Sequence, residues 1–163
     1  MKTKKLVLAA LLISLSFIGA NIKIMQTIAF DSMPGFLGAL ILGPFYGGII
    51  GVLGHFLTAL TSGFPLTVPV HLVIMLGMAL TMISFSYTYK YFSKKSKAAG
   101  SIIATIVAVI INGPLLTFLV APMLIPIMGK SGVLALLPIL CSATALNVII
   151  ALVVYNYLPK RYK

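Results

Sequence analysis

Side chains capable of chemistry are few in this sequence, and several of them fall in or beside one apolar stretch, residues 30–65. The stretch contains Asp31, the only acidic residue of the chain, and His55, one of its two histidines. Thr58 and Ser62 follow His55 at helical spacing, so all three lie on one stripe of a helix. His71 follows shortly after. Because polar groups inside a bilayer are costly and usually face a cavity or one another, this pattern predicts a binding site within a membrane protein.

Each of these groups also has a purely structural interpretation. Asp31 or Ser32 fits the start of a helix as its cap, and Asp31 is also a possible partner for Lys23 or an acceptor for a ligand at that helix end. His55 and His71 are equally suited to bonding backbone carbonyls and holding the turn between their helices. These roles are not exclusive at the level of sequence.

Two amides, Asn112 and Asn147, are predicted at mid-membrane positions. Asn112 precedes Gly113-Pro114, where proline frees backbone groups that the amide is able to satisfy. Asn147 is expected nearer the cytoplasmic end, and therefore behind the other polar groups.

Catalysis is not expected. A single acid leaves little for general acid–base chemistry. Two histidines without Cys, Asp or Glu at ligand spacing do not make a metal site, and no cofactor motif is present. Gly129-Lys130-Ser131 imitates the end of a phosphate-binding loop, but Leu124 stands where that motif requires glycine. We therefore predict neither an enzyme nor a metal or cofactor site.

The elements that position these side chains are membrane helices. Hydrophobic residues make up 61% of the chain and charged residues 8%, and the mean hydropathy is +1.17. A soluble domain of this length needs more charge. We predict an all-α integral membrane protein with one domain spanning residues 1–163.

Apolar periodicity and breaker residues predict a bundle of six transmembrane helices, the second and third of them short. Their predicted bounds are Lys5 to Ala20, Met33 to Gly43, Phe45 to Leu60, Thr67 to Tyr91, Ala98 to Val120, and Val133 to Leu158. In the third helix, Gly47, Gly51 and Gly54 form a flat face that favours close packing against another helix, with a partner surface as the alternative.

Positive charge predicts the orientation. Ten of the twelve Lys and Arg residues fall on one side of a six-helix arrangement, and only Lys23 and Lys130 fall on the other. The positive-inside rule then places both termini in the cytoplasm. Two long connections, residues 21–32 and 122–132, are expected outside, where long loops often act as lids or recognition elements.

With this topology, the stretch FDSMPGFLGALILGPFYGGIIGVLGHFLTALTSGFP (30–65) resembles the substrate-binding S components of energy-coupling factor (ECF) vitamin transporters, and within them the α-ribazole transporter subgroup. The resemblance covers essentially the whole chain. It implies uptake of a vitamin or precursor, with α-ribazole, a cobalamin precursor, as the expected solute. Another vitamin-like solute, such as pantothenate or a queuosine precursor, is the first alternative, and a structural membrane protein without a ligand is the second.

The resemblance also implies partners and sites. The small-residue motif of the first helix, which docks on the membrane coupling subunit, corresponds to Ala10 and Ser14, with Ser replacing the second Ala. Two ATPase subunits and the bilayer of a bacterial plasma membrane are the other expected partners, and no nucleic acid is expected. The solute-binding residues implied are Phe30, Asp31, Ser32, His55, Thr58, Phe64 and His71, with Asn112 and Asn147 behind them.

Overall fold

The computed structural model describes the backbone of residues 2–21, 23–24 and 28–159, and the side chains of residues 3–21 and 30–159. Apart from one antiparallel pair of two-residue strands, the regular structure in these ranges is helical. The elements are α1 (Lys2–Asn21), β1 (Lys23–Ile24), β2 (Ile28–Ala29), α2 (Met33–Ile41), α3 (Pro44–Thr61), α4 (Val68–Phe92), α5 (Lys97–Ile110), a π-helical turn (Ile111–Leu115) and α6 (Leu116–Tyr157).

Four helical stretches of the described chain are long and apolar enough to cross a membrane: 3–21, 44–61, 68–92 and 97–157. The helical membrane architecture is therefore confirmed. The short second helix is also confirmed, since α2 has 9 residues and is about 14 Å long against a hydrocarbon core of about 30 Å. The six-helix count and the cytoplasmic termini stay predictions.

The carboxyl-terminal third differs from the predicted helices. Helical turns run from Lys97 through the π turn to Tyr157, but two helices meet at a kink at Gly129, inside the connection predicted at 122–132. The break therefore lies where the sequence predicted it, whereas most of residues 122–132 are helical rather than a loop. Within α6 only Gly129 leaves helical geometry, with φ +71° and ψ 172°. Pro122 and Pro126 are accommodated within helical turns before the kink.

The half-length helix α2 lies inside the bundle, in contact with α1, α3, α4 and α6. Phe36 at its centre is fully buried and meets the ring of Phe85 edge-on, with centroids 5.0 Å apart. Ser86 on α4 donates its hydroxyl to the Ala39 carbonyl at 2.7 Å. Protein rather than lipid therefore surrounds α2.

Glycines on α3 allow this enclosure. A Cβ on Gly47 would lie 2.7 Å from the Cα of Ala39, and one on Gly51 would lie 3.0 Å from the Met82 side chain. Gly54 faces Ser16 of α1. The glycine face of α3 therefore packs against three helices of the same chain, as its spacing predicted.

A second, smaller apolar cluster lies beyond this core. Val70 of α4 packs there with Val120, Leu124 and Val133 of α6. The two clusters flank a region where the helices do not close on one another, and the predicted polar residues are found there.

Candidate ligand-binding cavity

A cavity of about 310 Å³ opens between α3, α4, the π turn and α6, at the level where α3 ends and α4 begins. It falls at the lower end of the range for small-molecule sites, about 300–1,000 Å³. Its polar lining residues are Asp31, Ser32, His55, Thr58, Ser62, His71, Asn112, Thr117, Thr144 and Asn147. Seven of the nine residues predicted to bind solute are among them.

The two histidines meet across the α3–α4 boundary. The Nε2 atom of His55 lies 3.1 Å from the Nδ1 atom of His71, and the rings are tilted by 33°. One nitrogen must donate and the other accept, so the tautomers of the two rings are linked. The His55 Nε2 and His71 Nδ1 atoms therefore bond each other, and neither bonds a backbone carbonyl as the purely structural interpretation predicted.

The Asp31–Ser32 segment is held among the helices. Ser16 of α1 donates its hydroxyl to the Asp31 carbonyl, and Ser32 donates to the Asp31 carboxylate at 3.1 Å. Both Asp31 and Ser32 are half-buried and line the cavity. The side chain of Lys23, the other partner considered for Asp31, lies outside the described residues.

The cap of α2 comes from a distant helix. Ser32 occupies the N-cap position without a side-chain capping bond, so the predicted Asp31 or Ser32 cap is wrong. Instead, the side-chain oxygen Oδ1 of Asn147 accepts from the Met33 N–H at 2.8 Å, and its side-chain Nδ2 donates to the Ala143 carbonyl at 2.9 Å. Asn147 thus reaches the start of α2 and lines the cavity together with Asp31. Its predicted depth, behind the other polar groups, stays a prediction.

Asn112 lies on the π turn. Its amide donates to the Thr144 hydroxyl at 2.7 Å, and Thr144 donates to the Leu140 carbonyl at 2.7 Å. The amide therefore bonds a side chain of α6 rather than the backbone freed by Pro114. π turns are rare and often occur at functional sites. This one brings the amide to the cavity wall.

Phe30 and Phe64 are not among the residues lining the cavity. Phe64 packs edge-on against His71, with ring centroids 5.6 Å apart, and so supports a lining residue. It lies in a strained turn, since Phe64 and Thr67 adopt φ +50° and +76°. A β-branched residue such as Thr67 rarely adopts such an angle, and strain of this kind clusters at ligand-binding sites.

Much of the remaining lining is apolar. It comes largely from α4 and α6, the same helices that carry His71, Thr117 and Thr144: Ile74, Met78, Leu116, Val120, Leu124, Leu136 and Leu140. Among the described residues that line the cavity, Asp31 carries the only full charge and none is Lys or Arg. The cavity therefore suits an uncharged or cationic molecule with both apolar and polar groups, and disfavours anions.

Two polar atoms in this lining have no hydrogen-bond partner within the described part of the chain: Nε2 of His71 and Oγ1 of Thr117. The two side chains are 6% and 1% exposed. Thr117 was not predicted from the sequence. The only signal for it is Pro114, three residues earlier, which disturbs the helix that should satisfy its hydroxyl.

Metal-binding geometry is absent from the described residues, since no group of three or more His, Cys, Asp or Glu side chains gathers there. The arrangement offers hydrogen bonds and an apolar surface, which are the means of reversible binding of a small molecule.

Comparison with known proteins identifies the family. The family model described as "ECF transporter, substrate-specific component" matches residues 4–158. This chain belongs to that family. No curated protein sequence matches it.

A solved structure described as "Structure and mechanism of the S component of a bacterial ECF transporter" has the same fold. It is 25% identical in sequence, with a TM-score of 0.70 over 96% of this chain and 95% of that one. As an ECF S component, the chain is a membrane subunit that binds a small-molecule substrate and pairs with the ECF module, whose partner subunits hydrolyse ATP. The family recognised from residues 30–65 is thus confirmed.

Proposed function

We propose that this S component captures α-ribazole, or a closely similar uncharged vitamin precursor, from outside a bacterial cell. The observation that carries the proposal is the cavity of about 310 Å³, with both polar and apolar side chains in its lining and no basic lining residue among those described. α-Ribazole is a neutral nucleoside with an apolar benzimidazole base and a hydroxylated sugar. The lining offers partners for both parts of the molecule.

Charge favours this solute over pantothenate, and apolar contact favours it over a queuosine precursor. Pantothenate is a carboxylate, and the one charged residue described in the lining, Asp31, would repel it. A queuosine precursor lacks the broad apolar face that Ile74, Met78 and Leu116 would contact.

In the proposed arrangement six helices cross the plasma membrane with both termini in the cytoplasm. The turn between α3 and α4, and with it the cavity, then faces outward. The ten basic residues on the cytoplasmic side favour this orientation. Asp31, Ser32, His55, Thr58 and His71 are the proposed solute-binding residues, with Asn112 and Asn147 at the base. Phe30 and Phe64, which do not line the cavity, are proposed to support the lining residues by packing.

Coupling to transport would use the first helix. Ala10 and Ser14 are both exposed on α1, and the Ser14 hydroxyl donates to the Ala10 carbonyl at 3.0 Å. With its hydroxyl engaged on its own backbone, Ser14 presents a small surface, which permits close helix approach. We propose that this face docks on the ECF coupling subunit, which works with two ATPase subunits.

The test combines binding and assembly. Purified protein is titrated with α-ribazole, pantothenate and a queuosine precursor, and the rise in melting temperature is recorded, since a ligand that prefers the folded state raises it. A shift with α-ribazole alone is expected. A shift with another solute would overturn the substrate, and the absence of both ligand binding and an associated ATPase pair would favour the structural membrane protein.

Ala10→Leu tests the docking face. The added bulk should abolish solute uptake and recovery of the coupling subunit while leaving α-ribazole binding unchanged, because Ala10 is remote from the cavity lining. Ile102→Phe, at a residue 60% exposed on α5, is the matched control and should change neither. Normal uptake by Ala10→Leu would show that the docking face lies elsewhere.

A further inference from the structure

Helical threonines in this protein follow a common hydrogen-bonding pattern. Thr58, Thr81, Thr105 and Thr144 each donate their hydroxyl to the carbonyl four residues earlier, at 2.7–3.0 Å. A membrane interior offers little water, so a hydroxyl there gains by bonding its own backbone.

Thr117 departs from this pattern although it is 1% exposed. The residue four positions earlier is Gly113, inside the π turn, whose carbonyl accepts from the Leu116 N–H. The π turn shifts backbone carbonyls out of α-helical register. The Thr117 hydroxyl is thereby left without a partner among the described residues, and the side chain lines the cavity.

His71 presents the matching feature from α4. Its Nδ1 atom is occupied by His55 at 3.1 Å, whereas its Nε2 atom is buried without a partner in the described structure. Leaving a buried polar atom unsatisfied is unfavourable. Two such atoms on different helices, both in the lining of one cavity, indicate where a bound molecule supplies the missing hydrogen bonds.

We propose that the Thr117 hydroxyl and the His71 Nε2 atom recognise the polar groups of the solute, and that the π turn at 111–115 frees Thr117 for this role. The inference rests on the proposed function and narrows its substrate class to uncharged molecules with hydroxyl groups. A hydroxyl both donates and accepts, so it can satisfy the Thr117 hydroxyl. It also matches His71 in either tautomer that the bond to His55 allows.

The first arm of the test needs no ligand. Thr117→Val replaces the hydroxyl by a methyl group of similar shape, so the melting temperature of the ligand-free protein in detergent should rise by about 1–3 °C, followed by circular dichroism. Thr81→Val is the matched control. Thr81 is fully buried outside the cavity and bonds Gly77 at 2.8 Å, so this substitution should lower the melting temperature. A fall for Thr117→Val equal to that of Thr81→Val would overturn the assignment.

The second arm measures α-ribazole affinity by calorimetry. Thr117→Val should weaken binding about 5- to 30-fold, whereas Thr117→Ser, which keeps the hydroxyl, should stay within about threefold of wild type. Analogues of α-ribazole that each lack one ribose hydroxyl complete a double-mutant cycle. The effect of Thr117→Val should disappear for the analogue that lacks the hydroxyl bound by Thr117. Equal loss for every analogue would contradict direct recognition.

The two proposals fail in different ways. If α-ribazole does not stabilise the wild-type protein, the proposed substrate is overturned, and the sign of the ligand-free melting shift alone decides the role of Thr117. If α-ribazole binds wild type and Thr117→Val equally well, the substrate stands and the role of Thr117 is overturned.

Discussion

The two halves of this bundle differ in how closely their helices pack and in how completely they satisfy buried polar atoms. Around α2, helices approach until backbone meets backbone, as at Gly47 and Ala39, and hydroxyls such as those of Thr81 and Ser86 are bonded to carbonyls. Around the cavity the helices stay apart, and Thr117 and His71 keep buried polar atoms without partners in the described chain. The close-packed half supplies stability, and the open half keeps binding capacity at some cost in stability.

The difference follows from residue size and helix regularity. Glycine at every third or fourth position of α3 removes side chains from the contact with α2 and α4. On the cavity side, leucines and valines of α6 and the irregular turn at 111–115 hold the helices apart. Three substitutions test this division.

Gly47→Ala should have the largest effect, a loss of about 2–3 kcal/mol in the free energy of unfolding, because the new Cβ meets the backbone of Ala39. Gly48→Ala is the control, since its Cβ would meet the flexible end of Ile83 at 3.3 Å and the Ala79 carbonyl oxygen at an ordinary contact distance of 3.7 Å. The gain in helix propensity is the same for both, so their difference in thermal melting reports the contact. Equal melting temperatures would show that α2 and α3 are not packed this closely.

Asn147→Ala should cost roughly 1–3 kcal/mol without ligand, because it leaves the Met33 N–H of α2 uncapped inside the bundle. Asn21→Ala removes an exposed bond to the Phe17 carbonyl and should change stability by less than about 0.5 kcal/mol. Thermal unfolding of the two ligand-free variants makes the comparison. A loss of solute affinity with unchanged stability would assign Asn147 to the ligand alone.

His55→Ala should change ligand-free stability least while weakening solute binding about 10-fold, since it removes the partner that orients His71. Ser86→Ala in the close-packed half should do the reverse, lowering stability by about 0.6–1 kcal/mol with unchanged affinity. Calorimetry and thermal melting on both variants test the contrast. Should both variants lose stability and affinity together, the two halves are not independent.

Much of the fold was predictable because local chemistry decides it. The sequence alone indicates several helix bounds. Apolar runs mark the helices, Pro34 and Pro44 lie near the starts of α2 and α3, and Gly43, with φ +98°, precedes α3. The connection predicted at 122–132 contains the kink at Gly129, but Pro122 and Pro126 lie in helical turns rather than in a loop. Inside a bundle, neighbouring turns accommodate proline.

The candidate site was predictable by residue type and less so by role. Asp31, His55 and His71 were identified because polar side chains are rare in a membrane segment, and the cavity lining includes all three. Thr117 escaped notice because a threonine in a helix normally bonds its own backbone, and only the π turn prevents it.

From its sequence alone, this chain is determined to be a helical membrane protein with a glycine-rich segment typical of ECF S components, because hydropathy and close-packing motifs depend on residues near one another in the chain. Tertiary structure decides that Asn147 caps α2 from 114 positions away. It also decides that Thr117 and His71, which line one cavity, each keep a polar atom without a partner in the described part of the chain. Those outcomes depend on which distant helices meet, and on a one-residue shift in helical register that composition does not reveal.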